Sequence, residues 1–208
     1  MTDVQGVDGV KTMVRSYASL VVILSASALL SGCIGGGASN DTFALTSVGA
    51  VEGPAARNRQ ILVPEPTALK ALDSEQVVIR LSGAELQYLD KSRWSDRLPR
   101  MVQSKLVEAF ENTGKLGGVG KPGEGLAIDY QIVSDIRAFE ILSDGSDRAR
   151  VAISVKILND RNGSVKAQRV FSFEAPVSGT GNRAYVAALD HAFSKVSSEI
   201  VGWTLQSI

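Results

Sequence analysis

The sequence predicts an α+β domain in which one largely antiparallel sheet is covered by two amphipathic helices. Three observations carry this. Val151, Ile153, Val155 and Ile157 alternate with Arg150, Ser154 and Lys156, the period of a half-buried strand. Leu98, Val102, Leu106 and Phe110 recur at helical spacing, and Tyr185, Leu189, Phe193, Val196, Ile200 and Trp203 fall within a stripe of about 80°. Asn162-Gly163 supplies residues that tolerate positive φ between two strand-like segments, the signal of a tight hairpin.

Taken in order, Thr42–Val48 and Val77–Leu81 read as strands. The loop between them carries Pro54, Pro64 and Pro66, and within it residues 61–63 read as a short edge strand. A helix follows, with Asp96 placed as its N-cap and Gly114 as its stop. Glycines 114, 117, 118, 120, 123 and 125 predict a flexible loop after it. Three strands then span residues 126–141, 150–158 and 164–175, an antiparallel meander, and a long helix closes the chain over residues 182–203.

At the N-terminus, Leu20–Leu30 is an apolar run preceded by Lys11 and Arg15, too short to span a bilayer and of the length expected for a signal peptide. Leu30-Ser31-Gly32-Cys33 resembles the bacterial lipobox, where an apolar residue and two small ones fit the signal peptidase and the cysteine sulfur takes up lipid. Residues 1–32 are therefore expected to be removed, with Met13 offering a second start. Residues 33–41 form the lipidated cysteine and a Gly-rich tether reaching about 16 Å, and residues 42–208 form the periplasmic domain. Two or more acyl chains anchor stably, because each buried methylene contributes about 0.8 kcal/mol. Ile34 follows the cysteine, where Asp would mark retention at the inner membrane of enteric bacteria, so the outer membrane is the expected destination.

Cys33 is the only cysteine, which leaves the domain without an internal disulfide or a thiolate metal site. Acidic and basic residues balance at 22 each, so no basic stripe points to nucleic acid. The one histidine, His191, lies about 150° from the centre of the terminal helix's apolar stripe and reads as a solvated residue. Gly118-x-Gly120-x-x-Gly123 matches a dinucleotide fingerprint by letters, but it follows a helix and precedes a strand, the reverse of what that site needs. Asp144, Asp147 and Asp160 sit at predicted turns, and Asp129 and Asp135 are about 20 Å apart, too far for paired-carboxylate chemistry. No enzyme activity is expected, and no cofactor beyond the lipid on Cys33.

Further along, Phe43-Ala44-Leu45, Val63-Pro64, Val77-Val78-Ile79-Arg80, Tyr88-Leu89 and Trp94-Ser95-Asp96-Arg97-Leu98-Pro99 stand in order behind the lipobox. In these residues the chain resembles the auxiliary lipoproteins of ABC-type transport systems, a family that includes paraquat-inducible lipoprotein C and partners of mammalian-cell-entry (MCE) domain proteins. It departs from the family pattern at Phe43, where tyrosine is common.

The resemblance implies a non-enzymatic component of an intermembrane lipid-transport system. An ATPase and a permease lie in the inner membrane, an MCE-domain protein forms a periplasmic tunnel, and the lipoprotein docks or caps it as a homo-oligomer. Tyr88, Leu89, Trp94 and Arg97, read as a strand-to-helix connection, are the candidate partner contacts, since Tyr, Trp and Arg are common interface anchors. Of these, Trp94 fits a core position better than an interface one. Two alternatives stand beside this reading: a stand-alone periplasmic lipid carrier, and a structural envelope lipoprotein.

Overall fold

A computed structural model describes residues 40–208, so the signal peptide, the lipobox residues Leu30, Ser31 and Gly32, and Cys33 lie outside the described residues. The described chain runs β1 (Asp41–Phe43), β2 (Ala56–Leu62), β3 (Thr67–Ala68), β4 (Gln76–Arg80), β5 (Leu86–Trp94), α1 (Leu98–Asn112), β6 (Leu116–Gly120), β7 (Tyr130–Leu142), β8 (Arg148–Asn159), β9 (Val165–Pro176) and α2 (Asn182–Ser207).

Strand β7 is the spine of a nine-stranded sheet. Along one edge it pairs antiparallel with β8 from Tyr130↔Asn159 to Leu142↔Arg148, and β8 pairs antiparallel with β9. Along its other edge it receives three strands in succession, all parallel: β2 at Ile61↔Tyr130, β3 at Thr67↔Asp135 and β4 at Val78↔Glu140. Outside β2 lies β6, parallel; outside β4 lies β5, antiparallel, and then β1, parallel to β5. The expectation of a largely antiparallel sheet is corrected here to a mixed sheet. The meander β7–β8–β9 is antiparallel as expected, but the N-terminal strands reach β7 only after the α1 crossover, and such a crossover brings strands together in parallel.

Prolines explain why one extended segment meets β7 twice, as β2 and then as β3. Pro64 and Pro66 lack the N–H donor a ladder needs and fall between β2 and β3. Of residues 61–63, expected as an edge, Ile61 and Leu62 belong to a longer β2 held between β7 and β6, and Val63 lies just past its end. The glycine-rich segment expected as a loop contains β6. Gly117 there lies so close to β2 that a Cβ would fall 2.4 Å from the Arg57 carbonyl oxygen, so glycine is what permits the pairing. The expected loop survives only after it, where Gly123 and Gly125 take positive φ.

Helix α1 begins with Arg97 at its N-cap position, not Asp96; Asp96 Oδ1 instead accepts the Arg97 N–H at 2.7 Å. Gly114 ends the helix with φ +58°. The strand expected over residues 42–48 pairs only as far as Phe43. Beyond it the chain leaves the sheet to strap the helices: Leu45 and Val48 are buried, and Asp190 on α2 accepts hydrogen bonds from the Thr46 N–H at 2.8 Å and hydroxyl at 2.7 Å.

Helix α2 lies on β8 and β9, burying Leu189, Phe193, Val196 and Ile200, while Tyr185 and Trp203 at the ends of the stripe are partly buried. A run of aromatic rings ties the layers together. Trp94 of β5 meets Phe139 of β7 edge to face at 5.7 Å, and Phe139 meets Phe193 of α2 at 5.9 Å. Trp94 is 1% exposed, so it is a core residue.

Trp94→Ala removes the ring that joins the β1–β5–β4 wing to the spine, and urea unfolding is expected to show a loss of about 3–5 kcal/mol. The loss should fall on the whole cooperative transition, because Phe139, which loses its partner, packs in turn on Phe193 of α2.

Candidate functional site

Three surfaces remain once the core is filled: the sheet face opposite the helices, the free edge of β9, and the pole that holds the β4–β5 turn.

The open face is set by register. Residues paired across strands share a face, so Glu140, Arg150 and Glu174 form one row across β7, β8 and β9. Arg80 grips Glu140 with both arms, Nε to Oε1 at 3.0 Å and Nη2 to Oε2 at 2.9 Å. Glu140 is 3% exposed, so this is a buried carboxylate satisfied by a fork of donors. The hydrogen bond to Glu140 is also the main cause that raises the Arg80 pKa. Arg148 pairs with Glu174 at 2.9 Å and Asp144 at 3.0 Å, and these partners raise its pKa in the same way. Beside them is a shallow depression of about 370 Å³ lined by charged groups, including Arg137 and Arg150. A lattice of this kind can meet a charged surface.

The sequence carried a signal for the buried pair that the expectations above did not use. Glu140 is a lone carboxylate in the run Ala138-Phe139-Glu140-Ile141-Leu142, which is buried throughout. An acid in such a run requires a partner, and Arg80 ends the apolar strand β4 beside it.

The free edge of β9 follows from one bond. The Val177 N–H donates to the Asp147 carbonyl, so by antiparallel alternation the odd residues of β9 point their backbone groups at β8. Gln168, Val170, Ser172 and Glu174 then present theirs outward. Pro176 sits in this outward set, where its missing N–H costs no ladder bond. Val170, 45% exposed, lies at the middle of the edge.

Of the four candidate contact residues, Tyr88, Leu89 and Trp94 belong to β5 and not to a connection, and only Arg97 follows it. The expectation failed because Gln87, Asp90 and Arg93 interrupt the alternation and Lys91, with φ +52°, bulges the strand between Tyr88 and Arg93. Leu89 and Trp94 are buried, whereas Tyr88 is 45% exposed. Arg97 is held by Asp73, with Nε to Oδ1 at 2.9 Å, and by Glu65 at 3.1 Å, tying two loops to the start of α1. Those partners raise its pKa, Asp73 first.

The other singled-out residues have structural partners. His191 is exposed, edge-on to Phe173 at 5.9 Å. Gly118 and Gly120 lie in β6, after a helix. Asp129 accepts the Gln60 N–H at 3.0 Å and Asp135 accepts the Thr67 hydroxyl at 2.8 Å, so these two fasten β2 and β3 to the spine and do not form a merely solvated face. Among the described residues, no group of three or more His, Cys, Asp or Glu is placed to hold a metal ion.

A model of the ABC-type transport auxiliary lipoprotein component matches residues 43–201. The protein bll6063 of Bradyrhizobium diazoefficiens is 32% identical over 158 residues, which cover 75% of this chain and 42% of that one, so the chain spans less than half the length of this relative. The crystal structure of XCC0632 from Xanthomonas campestris superposes with a TM-score of 0.75 at 29% identity, covering 80% of this chain and 95% of that one. A second crystal structure, of an uncharacterized protein, gives a TM-score of 0.59 at 17% identity over 75% of this chain and 97% of that one, which shows the fold alone.

Removing Arg80 strands a buried carboxylate, so Arg80→Ala is expected to cost about 1–3 kcal/mol in urea unfolding, with Glu140→Gln recovering part of the loss in the double variant. Near the same pole the Tyr185 hydroxyl donates to Asp147 at 2.6 Å and the Ser143 hydroxyl at 2.7 Å, and together they lower the Asp147 pKa. A carboxylate with a depressed folded pKa contributes stability that is present above its unfolded pKa of about 3.9 and is lost as pH falls through the folded value. Tyr185→Phe should therefore flatten the fall in stability below pH about 4, read from urea midpoints across the acid range.

Proposed function

The chain belongs to the family of ABC-type transport auxiliary lipoprotein components, and from that premise we propose that it docks or caps an MCE-domain tunnel protein served by a permease and an ATPase. In this reading it is the non-enzymatic, lipid-anchored member of an intermembrane lipid-transport system. Cys33 carries the lipid, and Ile34 after it favours the outer membrane, with the domain in the periplasm. No helix among the described residues is long and apolar enough to cross a membrane.

The observation that carries the reading is the family match together with a filled interior. Trp94, Phe110, Phe139, Phe171 and Phe193 occupy the space between sheet and helices, and the described depressions are open, about 260–370 Å³ each. Lipid chains are costly to expose to water, at about 0.8 kcal/mol per methylene, so a domain that does not enclose them serves transport by completing a path in another protein. This favours docking over the stand-alone carrier. Among the described residues the outer edge of β9 has no partner strand, and the alternate residues Gln168, Val170, Ser172 and Glu174 turn their backbone groups to it, which supports self-association.

Docking is tested by light scattering of the acylated protein and by titration with the MCE-domain partner. Wild type is expected as a homo-oligomer that binds the partner. Val170→Lys should break the oligomer while leaving the melting temperature nearly unchanged, because the side chain is exposed. Arg97→Ala should weaken partner binding about tenfold if the exposed part of its guanidinium is an anchor. A monomer at tens of micromolar that ignores the partner overturns the reading, and lipid recovered stoichiometrically by solvent extraction would establish the carrier instead.

Processing is tested separately. Cys33→Ser should abolish palmitate incorporation and membrane retention, because no second cysteine can take the lipid. Labelled palmitate on the Cys33→Ser protein would refute acylation at this site.

A further inference from the structure

From the path of the chain into the domain we infer that the β4–β5 hairpin is a membrane-contact element, seating Leu86 and Tyr88 against the lipid headgroups of the bilayer that holds the anchor. The inference rests on the lipid anchor at Cys33 proposed above.

The chain enters the domain as β1, which runs parallel to β5 with Asp41 opposite Ser92 and Thr42 opposite Arg93. The entering chain therefore comes from the side on which β5 itself begins, and β5 begins at the hairpin. Arg93 is level with Gln76 of β4, and Leu86 is level with Arg80. Four steps of strand separate those levels, and the ladder continues to the turn, where the Leu81 N–H donates to the Glu85 carbonyl at 3.0 Å. Six steps at about 3.3 Å place the tip about 20 Å beyond Thr42, on the side from which the anchor arrives.

The tether has a comparable reach. Nine residue steps separate Cys33 from Thr42, and a Gly-rich coil of that length would span about 16–18 Å, or at most about 30 Å at full stretch. A cysteine sulfur held at the headgroups thus brings the hairpin tip to the same depth. A projection shorter than the tether would leave the domain clear of the surface; this one matches it.

The hairpin's chemistry fits that position. Leu86 is 39% exposed and Tyr88 45% exposed, and two residues apart on β5 they share a face, opposite Arg80 and Val78. An aliphatic residue beside a tyrosine is the pairing that suits a boundary with an apolar side and a wet side. Arg80 stiffens the element, since its Nη1 donates to the Gly83 carbonyl at 2.9 Å while its other nitrogens hold Glu140. The tip is therefore braced against the spine and is presented as a fixed shape. Arg148, with Asp144, lies beside it at the end of β8 and adds charged groups that can exchange partners with phosphates.

The test uses the full acylated chain in vesicles of phosphatidylethanolamine and phosphatidylglycerol that carry a nitroxide on a fraction of headgroups. Ser82→Cys places a unique free thiol at the tip for an environment-sensitive dye, because Cys33 is blocked by lipid, and Arg161→Cys places one at the β8–β9 turn on the opposite pole. The expected result is loss of most of the Ser82 emission to the nitroxide and a blue shift on vesicle binding, with neither change at Arg161. Introducing Leu86→Ser and Tyr88→Ser together should abolish the shift at Ser82 without releasing the protein. An anchored protein whose Ser82 dye stays open to aqueous iodide and untouched by the nitroxide overturns the hairpin contact and leaves the anchor standing. A dye shielded from both quenchers assigns the hairpin to a protein neighbour and equally overturns it. Protein that does not partition with vesicles at all refutes the anchor, and the hairpin contact falls with it.

Discussion

Everything in this fold is hung on β7, whose two edges are both used along almost their full length. One edge is given to β8 and the other is shared among β2, β3 and β4. Neither wing of the sheet pairs with the other strand to strand, so within the sheet their relative placement is set by where each meets the spine, and α2 adds a tie through Asn182, which donates to the Asp90 carbonyl and the Ser92 hydroxyl of β5. The bulge at Arg137 matters for this reason. It resets the alternation, so that Phe139 rather than Ala138 faces the helices and can join Trp94 to Phe193. Ahead of the bulge Ile132 and Ile136 serve the same core.

The polar side of the spine is organised with similar economy. Glu140 is buried beneath its neighbours, and a buried carboxylate is tolerable only when its lone pairs are met. Arg80 meets them and also reaches the Gly83 carbonyl, so one guanidinium joins β4, β7 and the β4–β5 turn. Asp129 and Asp135 perform the corresponding service for β2 and β3 through the Gln60 N–H and the Thr67 hydroxyl. Each of the three parallel pairings to β7 is thus accompanied by an acid of the β7 segment that takes up a donor from the incoming strand.

Local signals in the sequence carried far, and non-local ones did not. The two helices were legible because apolar residues at 98, 102, 106 and 110, and from 185 to 203, need only their own spacing to be recognised. The β8–β9 hairpin was legible for the same reason, although Gly163 alone takes positive φ there. Strand β5 was not, since a positive-φ Lys91 breaks its period, nor was β6, whose Leu-Gly-Gly-Val-Gly carries no pattern until the closeness of Arg57 explains the glycines. Parallel pairing was invisible because Val78 and Glu140, or Ile61 and Tyr130, meet across long stretches of chain and neither member's pattern names the other. For the candidate site, the family was readable, whereas the burial of Leu89 and Trp94 was a matter of which face β5 turns inward.

The order in which β7 gathers its neighbours bears on how this protein comes into being. Its partners on one edge, β2, β3 and β4, all precede it, and its partner on the other edge follows it. A chain threaded across a membrane N-terminus first delivers β1 to β6 into the far compartment before the strand they depend on has emerged. Of the pairings open to them by then, only the β4–β5 hairpin is local; β1 with β5 and β2 with β6 are parallel and span long stretches of chain, and such pairings form slowly. Every pairing to β7 must wait for that strand, and the β7–β8–β9 meander, built from local contacts, can form once its own strands are present. Closure of the sheet is therefore a late event, set by the arrival of β7 and not by the strands already present.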